Sequence, residues 1–194
     1  MDDTGIDRDS RQIHISQPLN KRLWHPSPLV HQIVLVTTVS EEGVENVAPK
    51  SLISMLSFDP PILVIGCNRH HKTAKNILAT GEFVVNIPHR RHVEEVWRSP
   101  DLPHPRRVSD MGLTAIPGVN VKAPRIKECP AHLECTLDST KTWGDEMALF
   151  GEIVSFTMLE ELGHGWEEWY RQLGPFLFLE DKLYGVVKVQ RVES

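Results

Sequence analysis

Residues 33–40, IVLVTTVS, form a run dense in β-branched side chains, and Glu41, Glu42 and Gly43 interrupt it before Val44 resumes. That pattern predicts a β-hairpin. Similar runs at Ser51–Ser57, Ile62–Asn68, Phe83–Ile87, His132–Leu137, Met147–Leu159, Phe176–Leu179 and Tyr184–Val189 bring the expected strands to about eight. Helical spacing is rarer. Ala74, Ile77 and Leu78 make an apolar stripe over Thr73–Thr80, with Thr73 placed to cap the helix and Gly81 to close it. A second helix is expected over Arg91–Arg98, where Val93, Val96 and Trp97 share a face before Pro100, and a weaker third over Trp166–Leu173. Pro100, Pro103 and Pro105, and later Pro117, Pro124 and Pro130, mark long ordered loops. Many strands, few helices and no βαβ alternation point to a mostly β fold, a closed or nearly closed barrel.

Composition narrows the function classes. The chain has 194 residues, 40% hydrophobic and 24% charged, which suits a polar N-terminal extension at 1–20 and a single globular domain at 21–194. Its longest apolar runs, such as Ile62–Ile65 and Met147–Phe150, are far short of the roughly 20 residues a membrane helix needs. The opening MDDTGIDRDSRQ has no apolar stretch of a secretory signal, so a cytoplasmic location is expected. Net charge is −5, and the densest basic patch, Arg90, Arg91 and His92, is followed by Glu94 and Glu95, so nucleic acid is not an expected partner. Cys67, Cys129 and Cys135 contain no CxxC pair and read as reduced, buried thiols rather than metal or redox groups.

Two segments carry candidate chemistry. In Asn46–Pro61, NVAPKSLISMLSFDPP, small and polar residues alternate with larger ones. Such a segment is either a plain strand or one whose backbone approaches a flat ligand and offers it amide and hydroxyl groups. In Cys67–Thr73 a strand ends and a helix opens with Lys72 and Thr73 at its mouth. Free amides, helix dipole, hydroxyl and ammonium can there converge on one anion, such as a phosphate; the alternative is a helix cap with solvated charges. His71 stands beside that mouth, where a partly protonated imidazole favours an anion. The other histidines read as surface residues, since His70 with His71 and His89 with His92 lack zinc spacing and an assembled partner, and no metal site is expected. Gly163-His164-Gly165 begins a dinucleotide fingerprint, but Glu168 stands in place of its third glycine. Trp166 and Trp169 read as packing residues of the C-terminal region.

In order and spacing, N-V-A-P-x-S from Asn46, S-x-D-P-P from Ser57, K-T-x-x-N-I from Lys72 and G-E-F-V-V-N from Gly81 resemble the flavin reductase-like FMN-binding split-barrel family. The resemblance continues through G-L-T at Gly112, V-K-A-P-R-I at Val121, H-L-E-C at His132 and G-E-I-V at Gly151. It implies a six-stranded Greek-key split β-barrel and a homodimer with its flavin sites near the subunit interface. It also implies FMN, with FAD as an alternative, held mainly by backbone and small side chains. By position it assigns Asn46, Val47, Ala48, Pro49, Lys50 and Ser51 to the flavin ring and ribityl chain. It places Cys67, Asn68, Arg69, Lys72 and Thr73 around the ribityl and phosphate end. The activity it implies is NAD(P)H-dependent flavin reduction for a partner monooxygenase or other redox protein, with no catalytic side chain assigned. A non-catalytic electron carrier or flavin store is the alternative, and a heme or deazaflavin split barrel a third. The sequence departs from the family pattern at Lys50, a cation that either stabilises reduced flavin or points into solvent. It departs again at GPFLFLEDKLYG, which is more apolar than the family's glycine-rich C-terminal segment.

Overall fold

The computed structural model describes residues 29–160, 165–180 and 183–190; the polar extension expected at 1–20 and the Gly163-His164 pair lie outside them. The first hairpin pairs β2 (Val34–Val39) with β3 (Glu45–Lys50) across Glu41–Gly43, as the sequence pattern predicts. Then follow β4 (Ile53–Phe58), β5 (Pro61–Asn68), α1 (Lys72–Thr80) and β6 (Glu82–Ile87). After a long loop come β9 (Ala131–Trp143) and β10 (Glu146–Met158). These strands form one antiparallel sheet in the order β3-β2-β6-β9-β10-β5-β4.

The connection between the sheet's two edges closes it into a barrel. β3 and β4 lie at opposite ends of the strand order, yet only Ser51 and Leu52 join them. In a flat sheet those edges would stand about 29 Å apart, whereas the link spans at most about 11 Å. The sheet must therefore curl until its edges meet. β3 and β4 run in the same direction, so they are two halves of one strand that changes partner at Ser51. Six strand positions around the ring and seven hydrogen-bonded strands are thus the same object. The mostly β class and the split barrel are as expected; the uninterrupted strand expected over Ser51–Ser57 is instead broken there, because Leu52 turns to cover Gly66 and its carbonyl accepts from the Gly66 N–H at 2.7 Å.

Strand β2 is buried along its whole length because both its faces are covered. Val34 and Val36 point into the barrel with Leu63, Ile65, Phe83 and Leu149, and α1 adds Ala74 and Ile77 to that core. Phe83 fits because position 151 is glycine: a Cβ there would stand inside its ring. Ile33 and Leu35 face outward under a second layer, built from α2 (Val93–Arg98), the loops that follow it and Phe176. Phe176 opens β11 (Phe176–Glu180), which pairs with β1 (His31–Gln32) and β12 (Leu183–Val186) in a small sheet. Helix α3 (Trp166–Leu173) forms as expected, and Trp169 packs beside Ala131 and Leu173. No helix among the described residues is long and apolar enough to cross a membrane.

Two expectations need correction. Thr73 does not cap α1: the chain turns at Asn68, whose side chain accepts from the His70 N–H at 3.0 Å, so His71 becomes the N-cap and Thr73 is buried in the first turn. His132 is not a surface residue. Only 7% exposed, its ring sits between the Ile126 carbonyl at 2.8 Å and the Thr157 hydroxyl at 3.1 Å. Burial pulls its pKa below the ordinary 6.5, and the same cause lowers those of His71 and His89. The unfolded chain therefore binds more protons than the folded one once pH drops to the ordinary imidazole value. Stability is expected to be lost progressively as pH falls below about 6.5, before carboxylates titrate. Urea midpoints at about pH 7.5 and 5.5 check this, and equal midpoints would contradict it.

Candidate functional site

A cleft of about 420 Å³ opens along the edge of β3 that does not pair with β2, within the size range of cofactor sites. Its wall on one side is Asn46, Ala48, Pro49 and Lys50 of β3; on another it is His70, His71, Lys72 and Thr73 at the start of α1. The third side is the proline-rich strap over residues 99–107, which contributes Pro100, His104 and Arg106. The strap is fastened to β3: the Val47 N–H donates to the Arg106 carbonyl at 2.8 Å, and the Val108 N–H to Glu45 Oε1 at 3.0 Å. The strap opens with one turn of 3-10 helix at Ser99–Asp101, and proline stiffens the rest, which belongs to no sheet.

The electrostatics of the cleft are one-sided. Lys50, Lys72 and Arg106 are fixed cations, three histidines stand with them, and no carboxylate is among the lining residues. Lys50 Nζ lies 3.5 Å from His71 Nδ1, so the ring accepts from the ammonium; burial first, then the Lys50 charge, holds the His71 pKa down. Lys50 thus stands in the cleft wall, beside His71. Helix α1 has no acidic residue in its first turn, leaving its positive end and its unbonded N–H groups to an external anion. In the floor, both atoms of the Asn46 carboxamide are buried and without a hydrogen-bond partner among the described residues. Such groups are costly to leave unmatched unless a ligand satisfies them.

The structure brings together Asn46, Ala48, Pro49, Lys50, Lys72 and Thr73 of the residues singled out by sequence. The others lie around that group. The Val47 side chain is in the outer core, and Ser51 is at the strand break. Cys67 is inside the barrel, its Sγ 4.0 Å from His71 Nδ1. Asn68 donates to Glu146 Oε1 at 3.1 Å, and the Arg69 N–H to the Asp145 carbonyl at 2.8 Å, so both brace the turn before α1. Pro100, His104 and Arg106 were not singled out, and only proline density marks their segment in the sequence. Cys129 and Cys135 are buried free thiols whose pKa values burial pushes up. Among the described residues no group of three metal-ligating side chains assembles. A second cleft of about 310 Å³ shares Pro49 and Pro100 with the first and is walled by Ile33, Val96, Trp97 and Phe178, with Asp101 at its rim.

Residues 27–185 match the model of the flavin reductase like domain. The chain belongs to that family. Membership makes it a flavin-related oxidoreductase. An uncharacterized protein of Pyrococcus abyssi is 33% identical over 138 residues, covering 71% of this chain and 80% of that one. Among solved structures, nitrilotriacetate monooxygenase component B from Bacillus cereus superposes with a TM-score of 0.83 at 24% identity, over 95% of this chain and all of the other. The 2-nitrobenzoate 2-nitroreductase of Pseudomonas fluorescens follows at 0.75 and 29% identity, over 84% and 85%.

Proposed function

We propose that the chain binds FMN in the cationic cleft, accepts hydride from NADH or NADPH, and passes reduced flavin or electrons to a partner such as a monooxygenase. The observation that carries this reading is the joining of two complementary ends in one cleft: Lys72, Thr73 and the positive end of α1 for a phosphate, and the unsatisfied Asn46 carboxamide for a polar ring. The flavin supplies the hydride acceptor. The protein's own residues have to bind the flavin, align it and exclude water. The second cleft, apolar and aromatic-walled, gives a nicotinamide ring room beside the first. The resemblance of the fold to a monooxygenase component supports the suggested partner.

The test is the absorbance spectrum of the purified protein with excess FMN removed, followed by anaerobic NADH and NADPH. Flavin bands that bleach support the reductase. Bands that persist would make the chain an electron carrier or flavin store, and an absence of flavin bands after FMN loading would overturn the reading.

Two copies are proposed to pair through the apolar surface of the β4 corner and the C-terminal half of β10. Leu52, Leu56 and Phe58, the last 86% exposed, and on β10 Val154, Phe156 and Met158 are apolar side chains that one copy leaves exposed. Phe58→Asp is expected to shift the chain from dimer to monomer in light scattering after gel filtration, and an unchanged dimer mass would place the interface elsewhere.

A further inference from the structure

Arg106 is only 3% exposed, yet no carboxylate among the described residues forms an ion pair with it. Its guanidinium makes long contacts, Nη1 to the Val47 carbonyl at 3.3 Å and Nη2 to the Leu102 carbonyl at 3.4 Å, and Nε has no partner among the described residues. Burial pulls its pKa down while Asp101 and Asp110, nearby but unpaired with it, pull the other way. A guanidinium keeps its proton under such opposing influences. Asn46 lies one residue from Val47, which holds the arginine, and its carboxamide oxygen and nitrogen are both unsatisfied. Both side chains line the same cleft.

The missing partner can be specified by chemistry. The carboxamide asks for one donor and one acceptor side by side, because its oxygen accepts and its nitrogen donates. Arg106 Nε asks for an acceptor, best one that carries negative charge. The pyrimidine ring of a flavin offers carbonyl, N–H, carbonyl in succession, and it carries the negative charge left when the flavin takes up two electrons and one proton. Lys72 and the positive end of α1 form a separate wall of the cleft, suited to a phosphate.

We propose that Asn46 and Arg106 form a subsite that reads the imide edge of the flavin ring, with Arg106 as the cation that favours the reduced form. The proposal rests on FMN occupying this cleft. It fixes the flavin's direction, imide edge toward Asn46 and the strap, phosphate toward α1. It also adds to the site a residue from a loop that the sequence motifs do not reach.

The experiment uses the full chain freed of flavin, titrated with lumiflavin and with 3-methyllumiflavin, ring compounds without a phosphate. The unmodified protein is expected to bind lumiflavin about tenfold more tightly, because methylation removes the ring N–H that Asn46 accepts. Asn46→Leu, checked for folding by circular dichroism, is expected to bring the two affinities together. Equal affinities in the unmodified protein would overturn the imide reading while FMN binding itself still stood; failure of FMN to bind would remove both. For Arg106, the preference of bound FMN for its reduced over its oxidised form is expected to fall about tenfold in Arg106→Gln, which for a two-electron couple is about 30 mV. An unmoved potential would overturn its role. If Arg106→Gln does not fold, Arg106→Lys takes its place: it keeps the charge and loses Nε, so lumiflavin affinity is expected to fall with little change in potential, and unchanged affinity would overturn the contact.

Discussion

Lys72→Ala is expected to weaken FMN binding by about 10- to 100-fold and riboflavin binding by less than about threefold. The two ligands differ only in the phosphate, so the contrast isolates that group. Lys72 is the first residue of α1, exposed on the cleft side of a helix with no acidic residue in its first turn. A hydrogen bond between ammonium and phosphate contributes about 1.5–3 kcal/mol, and that range sets the predicted ratio. Binding is not abolished, because the N–H groups and dipole of α1 remain. The site is open to solvent, so added salt is expected to narrow the difference between wild type and variant. Flavin fluorescence quenching measures both affinities. An equal loss for FMN and riboflavin would place the phosphate away from α1 and reverse the direction of the flavin in the cleft.

What the sequence made legible was local. The β-branched density of 33–40 and the turn at Glu41–Gly43 led directly to the first hairpin, and the stripe of Ala74, Ile77 and Leu78 with Gly81 behind it led to α1, whose closing residue adopts the left-handed φ of 71°. What it hid was long-range. Nothing local says that Lys50 ends one pairing and Ile53 begins another on the far edge of the sheet, although that break creates the cleft. The 13-residue strand β9 outruns the stretch His132–Leu137 read from sequence because Asp138–Trp143 is exposed and polar, and it is held in strand form by pairing to β10 alone. Arg106 was hidden for a different reason. It sits in a proline-rich loop whose composition marks rigidity but not direction, and its place beside Asn46 comes from a backbone contact between residues 47 and 106. His132 belongs to the same group, since its partners Ile126 and Thr157 meet it only in the folded barrel.

The largest loss of stability is expected at Glu134, a fully buried carboxylate on β9 that is remote from the cleft lining. Its oxygens accept from the Val119 N–H at 2.7 Å and the Asn120 N–H at 2.6 Å, and Arg125 Nε stands 3.6 Å away. Those contacts fasten the loop between β7 (Ala115–Ile116) and β8 (Arg125–Ile126) over Val84, where Val121 and Ala123 complete a small core. Glu134→Ala removes two charge-assisted hydrogen bonds and leaves two amide donors to find water, a cost of about 3–5 kcal/mol. That is a large part of the roughly 5–15 kcal/mol that holds an ordinary domain together. Glu134→Gln keeps one acceptor but turns an NH₂ toward the other amide, so about half the loss is expected. Arg125→Met tests the other anchor: Arg125 Nε stands 3.6 Å from the carboxylate and donates to the Pro117 carbonyl at 2.9 Å, so its removal is expected to cost about 1–3 kcal/mol, less than Glu134→Ala. Urea unfolding of the three variants gives the comparison. A loss at Arg125→Met as large as at Glu134→Ala would mean that Arg125, through the carboxylate and the Pro117 carbonyl together, anchors the loop as firmly as the two amides.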